Sequence, residues 1–309
     1  MASVKVIPNA PPHLVEPTEI YGVEGPITLR IATGGAGQSG LLRTLAEAFI
    51  NDFSQQYSSA PESERPPGCV IPFRACWIAS DTSASFNNLA LNAADVSITY
   101  HATAEKIAMG QGVADRRENA WRDHFMLVGP KSNPAKLPVG SQQTVYDLFA
   151  QIFCAAIETA NSKHPVRYLS RFDKSASNIC ESKIWITIGQ APWSHPYSTW
   201  YHQYIDFPFQ SLRIASKLAE YTLVDRGTWY SIEEDVTDSL EIFAEGTDDE
   251  DDPLLNSAHA LVGAFGANKA MATAFVDWLI KPDGGQKIIK EFAVKGHVLY
   301  TTAPERSEA

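Results

Sequence analysis

The chain has 309 residues and a formal net charge of −11, with 44% hydrophobic and 20% charged residues. This composition is that of a globular protein, and the length allows two domains, each with its own core. The acidic charge does not favour a nucleic-acid partner or an anionic membrane surface. No stretch is apolar enough to span a bilayer, so membrane insertion is not expected.

Residues 1–26 are predicted to form an irregular arm. Pro8, Pro11, Pro12 and Glu16 interrupt any apolar run that could serve as a secretory signal. The four cysteines have neither zinc-site nor redox spacing, which is typical of reduced thiols. We therefore expect a cytoplasmic protein, the alternative being a secreted one whose signal is absent from this sequence.

Strand and helix patterns alternate through the first part of the chain. Residues 27–33 alternate and are rich in β-branched side chains, which predicts a strand. Apolar residues then recur at helical spacing, with Ser39 as the predicted N-cap. Further strands are predicted at 69–79, 96–100 and 124–130. Such alternation is typical of a parallel, doubly wound sheet.

A second α/β segment is predicted after Pro134. Its acidic run at 246–252 lacks the ligand spacing of an EF-hand, so we interpret it as a solvated loop and not a calcium site. A stretch rich in proline and aromatic residues, 191–209, interrupts the pattern. The predicted elements are helices at 144–160, 175–189 and 211–220, strands at 165–170, 221–225 and 254–265, and helical segments over 268–294.

The first predicted loop contains the pattern Gly35-x-Gly37-x-x-Gly40, which resembles a dinucleotide-binding fingerprint. That fingerprint also needs an acidic residue about 20 positions further on, at the end of the second strand. The first acid after the predicted second strand is Asp81. This separation is too long, so the pattern does not favour a nucleotide.

A strand, a glycine-rich turn and a helix N-terminus still supply free N–H groups to a compact anion. A plain tight turn is the alternative interpretation of the same residues. The candidate donors of this region, which include the turn after the second strand, are Thr33, Gly34, Gly35, Ser39, Thr82 and Ser83.

A second segment of this kind runs from Tyr168 to Asn178. It follows a predicted strand and opens a helix, with Ser175 and Ser177 as donors and Arg171 as a forked cation suited to oxyanions. Two such loops in two α/β halves predict a small-ligand site in a cleft between domains.

A third segment, "YTLVDRGTWY", places Asp225 and Arg226 at the end of a predicted strand. As an adjacent acid and base, the two residues could form ion pairs with other surface groups. They could instead organise the cleft, so Arg226 is a further candidate ligand residue.

Several segments in order make the chain similar to the tungstate-binding proteins of tungstate ABC transporters. They are "NAWRDHFMLVGPKSNPA", "YTLVDRGTWY", "DDPLLN" and "FVDWLIKPDGGQKIIKEFAV", and the resemblance covers residues 27 to 302. It implies an α/β fold of the type II periplasmic-binding-protein kind, with two doubly wound lobes and a ligand cleft. The expected parts are lobe I (27–125 plus 235–303), lobe II (126–234) and a tail (304–309).

The resemblance also implies site residues. The family has Ser-Arg-Gly-Asp-x-Ser-Gly-Thr where this chain has "SRFDKSAS". Arg171 corresponds to its oxyanion-binding arginine, Ser175 to the motif's serine and Ser177 to its threonine. Departures are Gly34 and Gly35 in place of hydroxyl residues, Phe172 in place of glycine, and "FPFQ" at 207–210.

We therefore expect a binding protein for tungstate or molybdate, with no cofactor and no metal site. Phosphate, sulfate, a small carboxylate or a scaffold without ligand are the alternatives. An enzyme is not expected, because no nucleophile elbow, HExxH or P-loop occurs. Without an export signal, a transporter partner is not expected either.

Overall fold

The computed structural model describes residues 14–140, 143–195 and 198–304. The chain forms two compact units. Unit 1 is made by the chain up to Arg122 and from Ser257 onward, and unit 2 by Asp123–Asn256. The predicted tail lies outside the described residues except for Pro304, as do residues 1–13 of the predicted arm.

The strands of the described residues, in chain order, are β1 (Glu19–Tyr21), β2 (Ile27–Thr33), β3 (Arg74–Ala79), β4 (Val96–Thr99), β5 (Ala114–Pro130), β6 (Tyr168–Ser170), β7 (Tyr201–Gln203), β8 (Thr222–Asp225), β9 (Leu240–Glu245), β10 (Leu255–Gly263), β11 (Ala293–Val294), β12 (His297–Val298) and β13 (Thr301–Thr302).

The helices are α1 (Gly35–Gln38), α2 (Leu41–Tyr57), α3 (Thr82–Ala90), α4 (Ala102–Gly110), α5 (Val145–Thr159), α6 (Ala176–Thr187), α7 (Pro208–Leu218), α8 (Arg226–Ser231), α9 (Glu234–Thr237), α10 (Lys269–Leu279) and α11 (Gly285–Glu291). Across the described part of the chain, no helix combines the length and apolarity needed to cross a bilayer.

The sheet of unit 1 has a parallel centre. β2 pairs in parallel with β3 on one side and β4 on the other. β1, β10 and β13 add antiparallel pairs around this centre. Because β2 and β3 are parallel, their carboxyl ends meet at one edge, where Thr33 pairs with Ala79. The loops after both strands therefore begin side by side.

Unit 2 is built on the second part of β5. This part pairs antiparallel with β8 and β9, and β6 and β7 form a separate parallel pair. Its core is strongly aromatic: the rings of Phe149, Tyr168 and Trp185 are buried, with centroids 4.7 to 5.4 Å apart. Tilted and edge-on contacts at these distances stabilise the core beyond the burial of area.

The return of the chain to unit 1 comes later than the sequence predicts. The expected boundary near residue 235 would put the following residues in lobe I. In the structure β9 pairs with Met126–Pro130 of β5, which keeps this segment in unit 2 as far as Asn256. The expected boundary near residue 125 lies close to the observed one after Arg122.

Other differences concern the ends of elements. The strand predicted at 69–79 begins only at Arg74, after Pro72, which has no N–H to donate to a ladder. The strand predicted at 124–130 begins at Ala114, because its polar first half is also paired. The predicted irregular arm includes a short strand, β1, which pairs with β3.

A buried ion pair joins two strands of unit 1. Asp95, just before β4, is fully buried and accepts hydrogen bonds of 2.7 to 2.9 Å from the backbone N–H and guanidinium of Arg30 on β2. The third guanidinium nitrogen of Arg30, Nη1, donates to the carbonyl of Asn92. The Arg30 guanidinium thus compensates the negative charge of Asp95, which would otherwise be buried in the sheet region without a partner.

We expect Asp95→Ala to destabilise the protein by about 3–5 kcal/mol, because the mutation leaves the guanidinium of Arg30 without its partner. Denaturant unfolding measures this loss. The control is Glu47→Ala, which breaks an exposed pair with Arg43 at 3.7 Å and should cost less than about 1 kcal/mol. Equal losses in the two variants would contradict the prediction.

Candidate functional site

The glycine-rich segment after β2 folds into the short helix α1. A Cβ at Gly37 would lie 2.1 Å from the indole of Trp77, so only glycine fits there. The indole N–H of Trp77 donates a 2.8 Å hydrogen bond to the Thr33 carbonyl. Packing thus explains Gly37 without a ligand, whereas a Cβ at Gly35 would meet no atom within 4 Å.

Ser39 is not the N-cap of the next helix, contrary to the sequence prediction. It ends α1, and its hydroxyl lies 2.8 Å from the Tyr300 hydroxyl and 3.3 Å from the Ala36 carbonyl. The N-cap of α2 is Gly40, whose φ of +87° suits glycine. The Ser39 hydroxyl is thus engaged within unit 1.

The other predicted residues of unit 1 lie at the carboxyl ends of β2 and β3. Thr33 is fully buried, and its hydroxyl has no hydrogen-bond partner in the part of the chain that the structure describes. Thr82 is buried and Ser83 exposed at the start of α3, which Asp81 caps. This edge of an α/β sheet is where ligands commonly bind. The residues that stay candidate donors are Thr33, Gly34, Gly35, Thr82 and Ser83.

In unit 2 the loop after β6 brings the predicted residues together. Arg171 donates from Nε to the Asp206 carbonyl (3.1 Å), from Nη1 to the Ser177 hydroxyl (3.3 Å) and from Nη2 to the Asp173 carboxylate (2.5 Å). Ser175 caps α6, and its hydroxyl lies 3.0 Å from that of Ser177. We call residues 171–177 the Arg171 loop.

Arg171 and Ser177 line a small pocket of unit 2 that is partly open to solvent. Two lining hydroxyls, those of Ser211 and Thr222, donate to backbone carbonyls. Among the lining side chains, the Arg171 guanidinium and the Ser177 hydroxyl therefore remain as possible donors to a ligand. The other lining residues are Pro208, Leu212, Leu223, Val224 and Asp225.

Two residues of the Arg171 loop have left-handed backbone conformations, Phe172 at φ +47° and Lys174 at φ +63°. Each conformation costs an L-residue about 1–2 kcal/mol. The glycine of the related motif at position 172 is suited to this conformation. In this chain the Phe172 ring packs edge-on against Tyr201, at 6.4 Å between centroids, and is 36% exposed.

Arg226 has protein partners, which does not favour its predicted role as a ligand residue. Its guanidinium donates to the carboxylate of Glu245 (2.5 Å) and to Nδ1 of His124 (2.9 Å). His124 then donates from Nε2 to Asp248 (2.8 Å). Burial, together with the nearby Arg226 guanidinium, lowers the pKa of His124, consistent with this neutral tautomer.

The sequence interpretation missed Glu181, a buried carboxylate of α6 beneath the Arg171 loop. It accepts hydrogen bonds from Ser170, Tyr168, Asn178 and Tyr201. Burial raises its pKa to about 7, although these hydrogen bonds act in the opposite direction. The sequence did contain an indication that Glu181 is buried, because helical spacing places it on the apolar face that carries Cys180, Ile184 and Trp185.

The described residues contain no group of three or more His, Cys, Asp or Glu side chains placed to hold a metal ion. The cysteines are free, three of them buried and Cys154 exposed. Burial raises the pKa of the Cys180 thiol to about 12 and that of Cys76 to about 11, so both are thiols at neutral pH.

Comparison with protein-family models identifies the fold. Residues 22–283 match a model described as a PBP superfamily domain. The chain belongs to the PBP superfamily. The expected fold class, α/β of the type II periplasmic-binding-protein kind, is thereby confirmed.

Relatives of this PBP superfamily member include a tungstate-binding protein. The chain is 25% identical to the tungstate-binding protein TupA of Peptoclostridium acidaminophilum over 203 residues, 64% of either protein. It is 26% identical over 232 residues to a provisionally named ABC transporter anion-binding protein of Haloferax volcanii, covering 74% of this chain. The chain covers 63% and 64% of the length of these two relatives. The predicted resemblance is confirmed.

A solved structure is more similar. It is the crystal structure of a periplasmic protein provisionally described as metal-binding, with 46% sequence identity and a TM-score of 0.82. The match covers 93% of this chain and 100% of the other. The cytoplasmic location expected from the sequence finds no support in this periplasmic relative, whereas the secreted alternative agrees with it.

We expect Phe172→Gly to be more stable than Phe172→Ala by about 1 kcal/mol, because both lose the ring but only glycine relieves the left-handed strain. Denaturant unfolding of both variants measures the difference. Alanine and glycine at the exposed Ser83, which has no left-handed φ, provide the control pair. There alanine should be the more stable residue, because Ser83 lies in α3. The same order at both positions would contradict the prediction.

Proposed function

We propose that the protein is a solute-binding protein that takes up a small tetrahedral oxyanion, tungstate or molybdate first, and delivers it to an ABC transporter outside the cytoplasm. Relatives named as tungstate-binding and ABC transporter anion-binding support the ligand class and the transporter. The names of these relatives favour a transporter partner, which the sequence alone does not lead us to expect. The periplasmic location of the 46% identical protein supports export.

The observation that carries this proposal is the guanidinium of Arg171 at the pocket of unit 2. A guanidinium has five N–H donors. Its contacts with Asp206, Ser177 and Asp173 use one hydrogen on each nitrogen. Within the described residues, one hydrogen thus stays on each terminal nitrogen for a ligand. Two such N–H groups can donate to oxygens of a tetrahedral anion.

The start of α6 adds to the favourable field. The helix runs over 12 residues, and Ser177 in its first turn lines the pocket beside Arg171. The N-terminus of a helix carries partial positive charge and N–H groups without helical partners. This field offsets the Asp173 carboxylate, which neutralises part of the Arg171 charge while holding the guanidinium in place.

An oxyanion of a metal also fits the provisional metal-binding description of the similar periplasmic protein. A metal cation needs a cluster of carboxylate, imidazole or thiolate ligands, which the described residues do not provide. Tungstate needs hydrogen-bond donors instead. That the candidate donors of unit 1 contact the same ligand stays a prediction.

We expect Arg171→Ala to weaken tungstate binding by about 2–4 kcal/mol, the contribution of hydrogen bonds to a charged group, with the fold retained. Arg171→Lys should not restore binding, because lysine lacks the fork. Isothermal titration calorimetry measures the affinities. Arg167→Ala is the matched control: it removes the same charge from a half-exposed arginine of unit 2 whose carboxylate partner, Glu220, lies 4.0 Å away. Unchanged affinity in Arg171→Ala would contradict the assignment.

A second candidate ligand is a small carboxylate. Four of the lining residues, Pro208, Leu212, Leu223 and Val224, are apolar, and the exposed ring of Phe172 belongs to the same loop as Arg171. An apolar lining raises the cost of removing water from a dianion, and it offers contacts to a hydrocarbon group. A monoanion that carries a short apolar chain would use both features.

A ligand panel separates the two candidates. We expect tungstate and molybdate to raise the melting temperature in step with their concentration, because a ligand that binds only the folded state stabilises it. Sulfate, phosphate, acetate and butyrate, at equal ionic strength, are the comparison set. A larger shift with butyrate than with tungstate would favour the carboxylate and overturn the oxyanion proposal.

A further inference from the structure

The carboxylate of Glu181 lies under the Arg171 loop and has only donors around it. The amide of Asn178 donates to it at 2.8 Å, the Tyr168 hydroxyl at 2.7 Å and the Tyr201 hydroxyl at 3.3 Å, and the Ser170 hydroxyl donates as well. Glu181 is 2% exposed. No cation is among these partners, so hydrogen bonds alone satisfy the buried group.

Two of the four donors hold the strained residues of the loop. The Ser170 hydroxyl accepts a 3.1 Å hydrogen bond from the backbone N–H of Phe172. The side-chain oxygen of Asn178 accepts one of 3.1 Å from the backbone N–H of Lys174. Phe172 and Lys174 are the two left-handed residues, and both are thus tied to Glu181 through one intervening side chain.

These two left-handed residues flank Asp173, which orients Arg171. One carboxylate oxygen of Asp173 accepts from the Arg171 guanidinium, and the other accepts a 3.0 Å hydrogen bond from the backbone N–H of Ser175. A change in the backbone at either neighbour moves this carboxylate. The orientation of the guanidinium therefore depends on the layer of side chains below the loop.

We propose that Glu181 is a positioning residue that fixes the Arg171 loop when ionised and releases it when protonated, so that anion binding depends on pH. The proposal rests on the proposed function, because it assigns the regulation of the same site. An ionised carboxylate accepts from all four donors. The proton of the neutral form goes on Oε2, where Tyr168 is the partner, so Oε1 still accepts from Ser170 and Asn178. These hydrogen bonds then lose the negative charge of their acceptor and become roughly half as strong, which loosens the hold on the loop.

The surroundings place this change near neutral pH. The titratable groups that face Glu181 are Tyr168 on β6, Tyr201 on β7 and Cys180, which precedes Glu181 on α6. Helix α5 and strand β8 also pack against α6. Among the described residues, neither element contributes a charged partner to Glu181. Burial raises the pKa of Glu181 to about 7, so the carboxyl ionises between about pH 6 and about pH 8.

Binding and stability should therefore respond to pH in opposite directions. The pKa of Glu181 is higher in the folded protein than in the unfolded chain, so its contribution to stability is present at low pH and lost as the pH rises through about 7. Anion affinity should rise over the same interval. A role in stability alone would leave the affinity of the folded protein independent of pH over this interval.

The test is the tungstate affinity between about pH 6 and about pH 8, measured by calorimetry. Wild-type affinity should rise with pH, by at most about tenfold per unit for one coupled proton. Glu181→Gln should have a flat profile. Tyr168→Phe removes one donor to the carboxylate, which raises the pKa of Glu181, so its profile should shift to higher pH.

Glu220→Gln is the matched control. Glu220 is another fully buried carboxyl of unit 2 whose pKa burial raises, but its partner is His202 and not the loop. This variant should keep the wild-type profile. Equal pH dependence in wild type and Glu181→Gln, or an unshifted profile in Tyr168→Phe, would overturn the positioning role.

Amide hydrogen exchange of residues 171–178 in the ligand-free protein separates this proposal from the proposed function. The exchange rates are first corrected for the intrinsic effect of pH on exchange. The protection of these amides should then increase with pH in wild type and stay constant in Glu181→Gln. Protection that is independent of pH in wild type would overturn the role of Glu181. Wild type that binds no tungstate at any pH would overturn the proposed function, while the exchange data still decide on Glu181.

Discussion

The guanidinium of Arg171 can present its N–H groups to an anion only while the loop that carries it keeps one conformation. That loop contains two residues in left-handed conformations, Phe172 and Lys174, each costing about 1–2 kcal/mol. The hydrogen bonds from their N–H groups to Ser170 and Asn178 contribute about 0.5–1.5 kcal/mol each. These magnitudes nearly cancel, so the order of the loop depends on the side chains beneath it.

Asp173 shows how orientation and affinity compete at this site. It holds Arg171 rigidly, which lowers the entropy that a ligand must remove on binding. It also neutralises part of the charge that an anion would meet. The start of α6, where Ser175 and Ser177 lie, supplies positive potential without adding another ionisable side chain. Such a site favours a ligand with several hydrogen-bond acceptors at fixed angles.

Elements with strong local signals could be predicted from the sequence. The helix predicted at 144–160 is α5, with Thr144 as its N-cap in a capping box with Asp147. The strand predicted at 27–33 is β2, residue for residue. The motif around Arg171 also indicated residues that lie close together, because Arg171 donates to the Ser177 hydroxyl and the Ser175 hydroxyl lies 3.0 Å from it.

Features that depend on tertiary contacts could not be predicted. The strand β9 carries Glu241 and Glu245, which weaken its local signal, and only its pairing with β5 reveals it. Arg226 stands beside Asp225 in the sequence, yet its partners, Glu245 and His124, are distant in the chain. Ser39 has the chemistry of an N-cap, but a tight turn ahead of Gly40 directs its hydroxyl to Tyr300.

The most direct test of the central claim is to locate the anion itself. Tungsten scatters anomalously, so a crystal grown with tungstate and measured at a tungsten absorption edge shows the position of the metal without phase bias. The account predicts an anomalous peak whose oxyanion lies within hydrogen-bonding distance, about 3 Å, of the Arg171 guanidinium. A fully occupied peak remote from Arg171, or no ordered tungsten at saturating tungstate, would contradict it.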